Sequence, residues 1–474
     1  MQLKPKNLTI PPGNPFGEDK LSRLQSANVL TQLVSTIREP FVLAIDSPWG
    51  TGKTTFIKMW MASLKEKNGF PCICFNAWDS DFTGDPLVSF IGEMKASLDL
   101  PLQSAGASKA MEEYVSKGKK LLGILARKSA PLAIKILTQG ILDLEKLDLG
   151  KLKESGFAGL AESLAKERIE QYEADKDTIG GFKAHLKEVV DHLNKHKSAE
   201  NKPLIFFVDE LDRCRPTYAI DLLEKIKHLF NVEGIIFVLA IDKVQLSSSI
   251  RSIYGPGMDV DGYLRRFIDL EYRLPDPPRA EFCASLYDRF NLQELSEIRM
   301  GGADSLRQFV EAFSDLSEIF QLSLRTIEQC FAQFNIVFRT VATHANIFSS
   351  FIAFLIALRA TNFPLYNSFA RGTSGMIEIR NLFTGLSGGQ KYWDSYYGME
   401  IEAFYGLSKG PRPGYSTGAE PHRHTLERLG KDSPEGKRAA DILALMDQLS
   451  RARASDGLRS TIQRIELTEQ FTID

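Results

Sequence analysis

Phe41-Val-Leu-Ala-Ile45-Asp46-Ser47-Pro48-Trp49-Gly50-Thr51-Gly52-Lys53-Thr54-Thr55 is the stretch on which the fold turns. The unbroken apolar run from Phe41 to Ile45 is the pattern of a strand buried on both faces of a parallel sheet. A glycine-rich turn follows, and then a helix from Thr54 to Lys67. Strand, glycine-rich turn and helix in that order are the setting of a phosphate-binding loop. In such a loop successive backbone N–H groups converge on phosphate oxygens, and the helix N-terminus adds positive potential. Gly50 and Gly52 would let the backbone approach closely. Lys53 would meet the β- and γ-phosphates, and the Thr54 hydroxyl would ligate Mg²⁺. Ser47, Pro48, Trp49, Thr51 and Thr55 complete the expected contacts. One departure stands out: Ser47 occupies the position where the first glycine is usual.

Working outward, Asp19 to Arg38 has apolar residues at helical spacing, and Pro71 to Asn76 reads as a second strand. From Pro86 to Lys202 the pattern changes to charged helices without strand signals. Strands return at Leu204–Val208, Gly234–Ile241 and Ile268–Leu274, with a helix at Ala219–Leu229. Pro275-Asp276-Pro277-Pro278 is the clearest boundary, and the sequence beyond it reads as helical to Ala360. Ile347 to Leu358 is too short to span a membrane and reads as a buried helix. Residues 366–435, rich in Gly, Tyr, Arg and Pro, read as loop-rich, and a last helix is expected over Glu435–Arg464. The expected fold is α/β: a three-layer parallel sheet with a helical insertion. The expected units are residues 1–85 and 203–276 for the sheet, 86–202 for the insertion, 277–365 for a helical lid and 366–474 for the C-terminal region.

Leu204-Ile-Phe-Phe-Val208-Asp209-Glu210 would supply the second half of the site. An apolar strand ending in two acids places one carboxylate, Asp209, to hold Mg²⁺. The other, Glu210, is placed to polarise an attacking water. Alone this is a weak signal; after a phosphate-binding loop in the same chain it is a strong one.

Phe75-Asn-Ala-Trp78, Asp209-Glu-Leu-Asp-Arg-Cys-Arg-Pro216, Leu222-Leu-Glu-Lys-Ile-Lys227 and Trp49 together resemble the hallmarks of KAP P-loop NTPases over roughly residues 15 to 345. The resemblance implies an AAA+-like, additional-strand P-loop fold that binds ATP with Mg²⁺. It implies that Asp242, ending Val238-Leu-Ala-Ile-Asp242, sits beside the γ-phosphate as a sensor. Arg266 falls where related folds carry an arginine finger for a neighbouring subunit, although a helix-end arginine capping local carbonyls fits equally. Arg325, in Ser323-Leu-Arg-Thr-Ile-Glu328, resembles a lid arginine reaching back over the nucleotide. KAP relatives include proteins of bacterial anti-phage exclusion and animal signalling scaffolds. The expectation is therefore an ATPase that switches an assembly, in bacterial defence. The alternative is an ATP-gated scaffold with little hydrolysis. Metabolite phosphorylation lacks a recognisable acceptor site.

Lys plus Arg number 58 against 60 Asp plus Glu, so the whole-chain charge makes no case for generic nucleic-acid binding. The 474 residues give room for two or three domains and a sizeable core. Five cysteines in apolar or helical settings fit reduced thiols in a cytoplasmic protein. Residues 117–142 pair a basic segment with an apolar one, and membrane contact there is the weaker alternative to a solvated, core-facing helical pair. Leu386-Ser-Gly-Gly-Gln390 copies the ABC-transporter signature but lies far beyond Asp209 in the chain, so it reads as a loop. His185, His192 and His196 share a helix face without the glutamate of a zinc-protease pattern, and read as an exposed face. Partners expected are ATP and either further copies of the chain or effector proteins.

Overall fold

The structure is a computed structural model that describes residues 9–98, 105–129, 154–195, 202–296, 302–340, 347–372, 376–408, 417–451 and 461–466. Its centre is one sheet of five strands: β1 (Phe41–Asp46), β2 (Cys72–Asn76), β3 (Leu204–Asp209), β4 (Ile235–Ile241) and β5 (Leu270–Arg273). The order is β2-β3-β4-β1-β5, and every pairing is parallel. The strand that ends in Asp209 is thus separated from the strand that feeds the phosphate loop by one additional strand, β4. The expected sheet is present. Its last strand is shorter than Ile268–Leu274: Phe267 and Ile268 turn into the core before the strand begins, and β5 forms an exposed edge.

Alternation of side chains along the strands builds two cores. Val42, Ala44, Phe206, Val208, Phe237 and Leu239 face one side. Leu43, Ile45, Ile205, Phe207, Ile236 and Val238 face the other, where α1 (Leu24–Thr36) and α2 (Lys53–Glu66) pack. Helix α1 starts later than the apolar spacing suggests, because Asp19 accepts hydrogen bonds from the backbone of Leu21, Arg23 and Leu24. A carboxylate engaged in this way ends the preceding turn and caps the helix.

The first face carries the short helix α3 (Ala77–Ser80), α4 (Pro86–Leu98), α5 (Ala105–Ser129) and α6 (Glu154–Lys195), followed in sequence by α7 (Pro216–Leu229). Phe90 of α4 stacks on Phe206 of β3 at 4.7 Å and lies 4.9 Å from Phe230. Tyr114 of α5 and Phe182 of α6 continue the same core. The helices of the inserted segment are therefore docked on the sheet. Ala110, Met111, Tyr114 and Leu121 of α5 are buried in this core, while residues 130–150 lie outside the described residues. Among the described residues no helix is long and apolar enough to cross a membrane.

On the chain's way from β4 to β5 lie α8 (Lys243–Tyr254) and α9 (Val260–Leu264). Beyond β5 come α10 (Arg279–Arg289), α11 (Gln293–Ser296), α12 (Gly302–Ile319), α13 (Leu324–Thr340) and α14 (Ser349–Thr361). Phe351 to Leu358 of α14 are all buried.

Residues 366–435 correct the loop-rich expectation. They hold the end of α15 (Phe363–Ala370), then α16 (Met376–Thr384), α17 (Gly389–Trp393), α18 (Tyr396–Ser408) and α19 (Glu420–Leu429), before α20 (Pro434–Arg451). The tyrosines and phenylalanines point inward: Tyr366, Phe369, Phe383, Tyr392 and Phe404 share a core with Phe351 and Phe354. The glycines allow close packing. A Cβ on Gly389 would strike the Phe383 carbonyl, and one on Gly398 the Trp393 carbonyl. Gly388, with φ +78°, turns the chain into α17. This accounts for the glycines of Leu386–Gln390 as helix-packing residues. The 409–415 segment lies outside the described residues.

Glu400 of α18 is buried in this core, where it accepts a hydrogen bond from Ser350 Oγ. Burial pushes its carboxyl up to about 7 from an ordinary 4.5, against the Ser350 hydrogen bond, which lowers it. The folded chain then holds a proton that the unfolded chain releases. Stability present below the unfolded value near 4.5 is lost as pH rises toward 7, and levels off above. The loss should be on the order of 3 kcal/mol. Chemical denaturation at about pH 5 and about pH 8 should show this decline in the wild type. In Glu400→Gln that component should be missing; an unchanged decline would remove Glu400 as its source.

Candidate nucleotide-binding site

The loop after β1 folds around its own lysine. Gly50 (φ +75°) and Gly52 (φ +86°) are left-handed, a region that residues with a Cβ rarely adopt. Space restricts them as well: a Cβ on Gly50 would lie 3.0 Å from Ser323, and one on Gly52 2.8 Å from Leu21. Glycine thus turns the chain and lets two other segments close on it. Leu324 N donates to Gly50 O at 2.8 Å, tying the start of α13 to the loop. Ser47 keeps a φ outside the left-handed region, so a serine there costs no backbone strain. Its Oγ lies 2.5 Å from Thr51 Oγ1 inside the loop. Below the loop the Arg23 guanidinium donates to the carbonyls of Thr51 and Pro275.

Lys53 is buried and its Nζ donates to Ser47 O at 2.7 Å. Burial lowers its basicity, while Asp212, Asp242, Asp209 and Asp46, in that order, raise it. The ammonium thus lies in the field of carboxylates at the C-terminal ends of the strands. Ligands of open parallel sheets bind at this edge.

Parallel pairing places Asn76 at the end of β2 opposite Asp209 at the end of β3. Burial pushes the Asp209 carboxyl up, and its hydrogen bond with the Thr54 hydroxyl pulls it down. Its Oδ1 also accepts from Glu210 N at 2.9 Å. Glu210 itself has φ +60°, left-handed for a residue with a side chain. Such strain, held in place by its surroundings, clusters at functional sites. Its Oε2 accepts from Asn76 Nδ2 at 3.2 Å, and its Oε1 pairs with Arg213 Nη1 at 2.7 Å.

A 3₁₀ turn, Leu211–Arg213, carries the chain back over the site. Asp212 is buried, and its Oδ2 accepts from the Trp49 indole N–H. Among the described residues, Asp212 Oδ1 has no hydrogen-bond partner. This orphaned carboxylate oxygen, Asp209 and the Thr54 hydroxyl line the same cleft, and oxygen donors of this kind fit Mg²⁺. Asp242 caps α8, accepting from Val244 N and Gln245 N with Oδ1, and holds the phosphate loop by accepting from Trp49 N at 3.1 Å with Oδ2.

A cleft of 590 Å³ is walled by Pro48–Thr55 residues together with Asp209, Glu210, Arg213 and Arg325. A second, of 220 Å³, lies across Gly50 and Gly52, and Leu21, Met59, Phe282 and Leu324 give it an apolar wall. Arg325 borders both clefts. Arg266 lines neither; it is exposed, just before the edge strand β5. The structure thus gathers every sequence-derived candidate except Arg266 at or beside one cleft.

Sequence reading assigned no role to Asn76, Asp212 or Arg213. The acids and base at 209, 210, 212 and 213 were visible as a cluster, but only the turn brings the latter two over the site. His185 lies apart, with Nδ1 3.0 Å from Glu188 and 3.3 Å from Glu113. His196 lies outside the described residues.

The KAP family P-loop domain matches residues 23–341. An uncharacterised protein of Methanocaldococcus jannaschii is 29% identical over 183 residues, which are 36% of this chain and 90% of that protein. Among solved structures, the Aeropyrum pernix ORC2 protein in ADPNP-ADP complexes is 12% identical, with coverage of 98% of this chain and 96% of that chain and a TM-score of 0.35. Its ADP form is 14% identical at the same TM-score, covering 94% and 96%. That likeness is too distant to carry a functional argument.

Proposed function

The chain belongs to the KAP family of P-loop NTPases, and from that premise we propose that it hydrolyses ATP with Mg²⁺ to switch an assembly. Nucleotide binding follows from the P-loop domain itself. The observation that carries the finer reading is the convergence of Lys53, Thr54, Asp209 and Glu210 on one cleft at the C-terminal edge of the sheet.

In this reading the loop N–H groups receive the β- and γ-phosphates, and Lys53 turns from the Ser47 carbonyl to meet them. Thr54 and Asp209 would hold Mg²⁺, with Asp212 beside them; the ion would neutralise charge on the phosphate oxygens. Glu210 orients and deprotonates the attacking water. Arg325 reaches over from the lid, and Asp242 registers the terminal phosphate through its bond to Trp49 N. The apolar second cleft receives the base. Binding of a fluorescent ATP analogue and single-turnover hydrolysis test the proposal together. Binding without hydrolysis would turn it into the ATP-gated scaffold. That second reading is favoured by one observation: both oxygens of the Glu210 carboxylate are already engaged. Placing the output in anti-phage defence rests on the family resemblance alone.

Arg266, exposed beside the edge strand, would serve a neighbouring subunit's nucleotide. Turnover per subunit should then rise with protein concentration to a plateau, and Arg266→Ala should flatten the rise without weakening ATP binding. Mixed with Glu210→Gln subunits, Arg266→Ala subunits should regain part of the turnover, since each supplies what the other lacks. No recovery in demonstrably mixed oligomers, or full activity of the arginine variant alone, would leave Arg266 a helix-end residue.

A further inference from the structure

The Glu210 side chain belongs to a closed ring of contacts. Arg213 Nη1 holds Oε1 at 2.7 Å, and Asn76 Nδ2 holds Oε2 at 3.2 Å. The Arg213 guanidinium lies 5.7 Å from the centroid of the Trp78 ring. Asn76 closes the ring, because its Oδ1 accepts from Trp78 N and Asp79 N and so starts the turn that carries the tryptophan. Trp78 is 52% exposed, whereas the side chain of Glu210 is 16% exposed. The ring therefore runs from the hydrolytic end of the cleft to the surface.

A carboxylate with both oxygens committed, one to a guanidinium, is poorly placed to take a proton from water. Arg213 also forms part of the cleft wall. A guanidinium matches phosphate oxygens as well as it matches a carboxylate. Its present ion pair is part-exposed, and such pairs are weak enough to be exchanged.

We propose that Arg213 is a latch on Glu210 that a terminal phosphate releases. Without the γ-phosphate, Arg213 positions Glu210 off line and stacks on Trp78. When a triphosphate fills the cleft, Arg213 transfers to the terminal phosphate oxygens, leaves Trp78, and frees Glu210 Oε1 for water. Glu210 keeps its bond to Asn76 throughout. The proposal rests on the nucleotide-binding reading and adds a nucleotide-state sensor that is read at the protein surface.

Trp78 supplies the test in the full chain. Its fluorescence is isolated as the difference between the wild type and Trp78→Phe, with Mg·ATPγS, with Mg·ADP and without nucleotide. Occupancy is measured in parallel by anisotropy of a fluorescent ATP analogue. The expected result is a Trp78 signal that changes with Mg·ATPγS and not with Mg·ADP. In Arg213→Ala the signal should start at the released value and lose its dependence on the terminal phosphate while nucleotide still binds. Arg213→Lys, which keeps the charge without the fork, should retain a smaller response. An unresponsive Trp78 in nucleotide-bound wild type, equal responses to both nucleotides, or an undiminished response in Arg213→Ala would each overturn the latch while leaving nucleotide binding standing. A wild type that binds no nucleotide would overturn both.

Discussion

Lys53→Ala is expected to abolish measurable ATP binding while leaving the fold in place. Lys53 is buried, and Asp212, Asp242, Asp209 and Asp46 all act on its ammonium. Removing the ammonium therefore does two things. It deletes the positive charge that would meet the β- and γ-phosphates. It also leaves the carboxylates of Asp209 and Asp212 in the cleft wall, facing an incoming polyanion. Truncating one partner of a buried, hydrogen-bonded charge pair costs about 2–5 kcal/mol, or roughly 30- to 5000-fold in affinity. The upper part of that range applies here, because the remaining carboxylates repel. Titration of a fluorescent ATP analogue measures the effect, and far-UV circular dichroism checks the fold. Wild-type affinity in a folded variant would end the assignment of this loop to phosphate. The buried aspartates also make a fully neutral cavity unattainable, so some loss of stability should accompany the loss of binding.

How far the sequence leads depends on whether a feature is local. β1 and β3 are buried on both faces, so Phe41–Ile45 and Leu204–Val208 read as unbroken apolar runs, and their ends mark the site. The loop glycines were readable too, and the structure supplies the second reason for them: Ser323 and Leu21 stand where a Cβ would go. The consequence of Ser47 was not readable, since it depends on a φ that only the folded loop defines. Asn76 and Glu210 are far apart in the chain and meet because β2 and β3 pair with Asn76 opposite Asp209. Nothing within either segment encodes that register. The C-terminal region misled for a different reason. Glycines beside aromatic residues have the composition of a loop, yet here they let short helices cross at the Phe383 and Trp393 carbonyls. Arg266 remains outside the cleft, and the role proposed for it depends on a second subunit.

Glu210→Gln should keep nucleotide binding and lose turnover. The amide preserves the size of the side chain and can still meet Asn76, but it cannot accept a proton from water. It also gives up the ion pair with Arg213, the stronger of the two contacts that now restrain the carboxylate. Asp209 and Thr54, which would hold the metal, are untouched. Loss of a general base typically costs about 10²- to 10⁴-fold, so single-turnover hydrolysis should fall by at least two orders of magnitude. ATP affinity should stay near that of the wild type or rise, because Arg213, freed from Glu210, remains in the cleft wall to meet phosphate. Asp209→Asn discriminates the two roles: it should lower the apparent affinity for Mg²⁺ as well as the rate, whereas Glu210→Gln should lower the rate alone. Unchanged single-turnover rates in Glu210→Gln would show that another group activates the water. Glu210 would then not be the base, and the absence of hydrolysis in the wild type itself would decide for the ATP-gated scaffold.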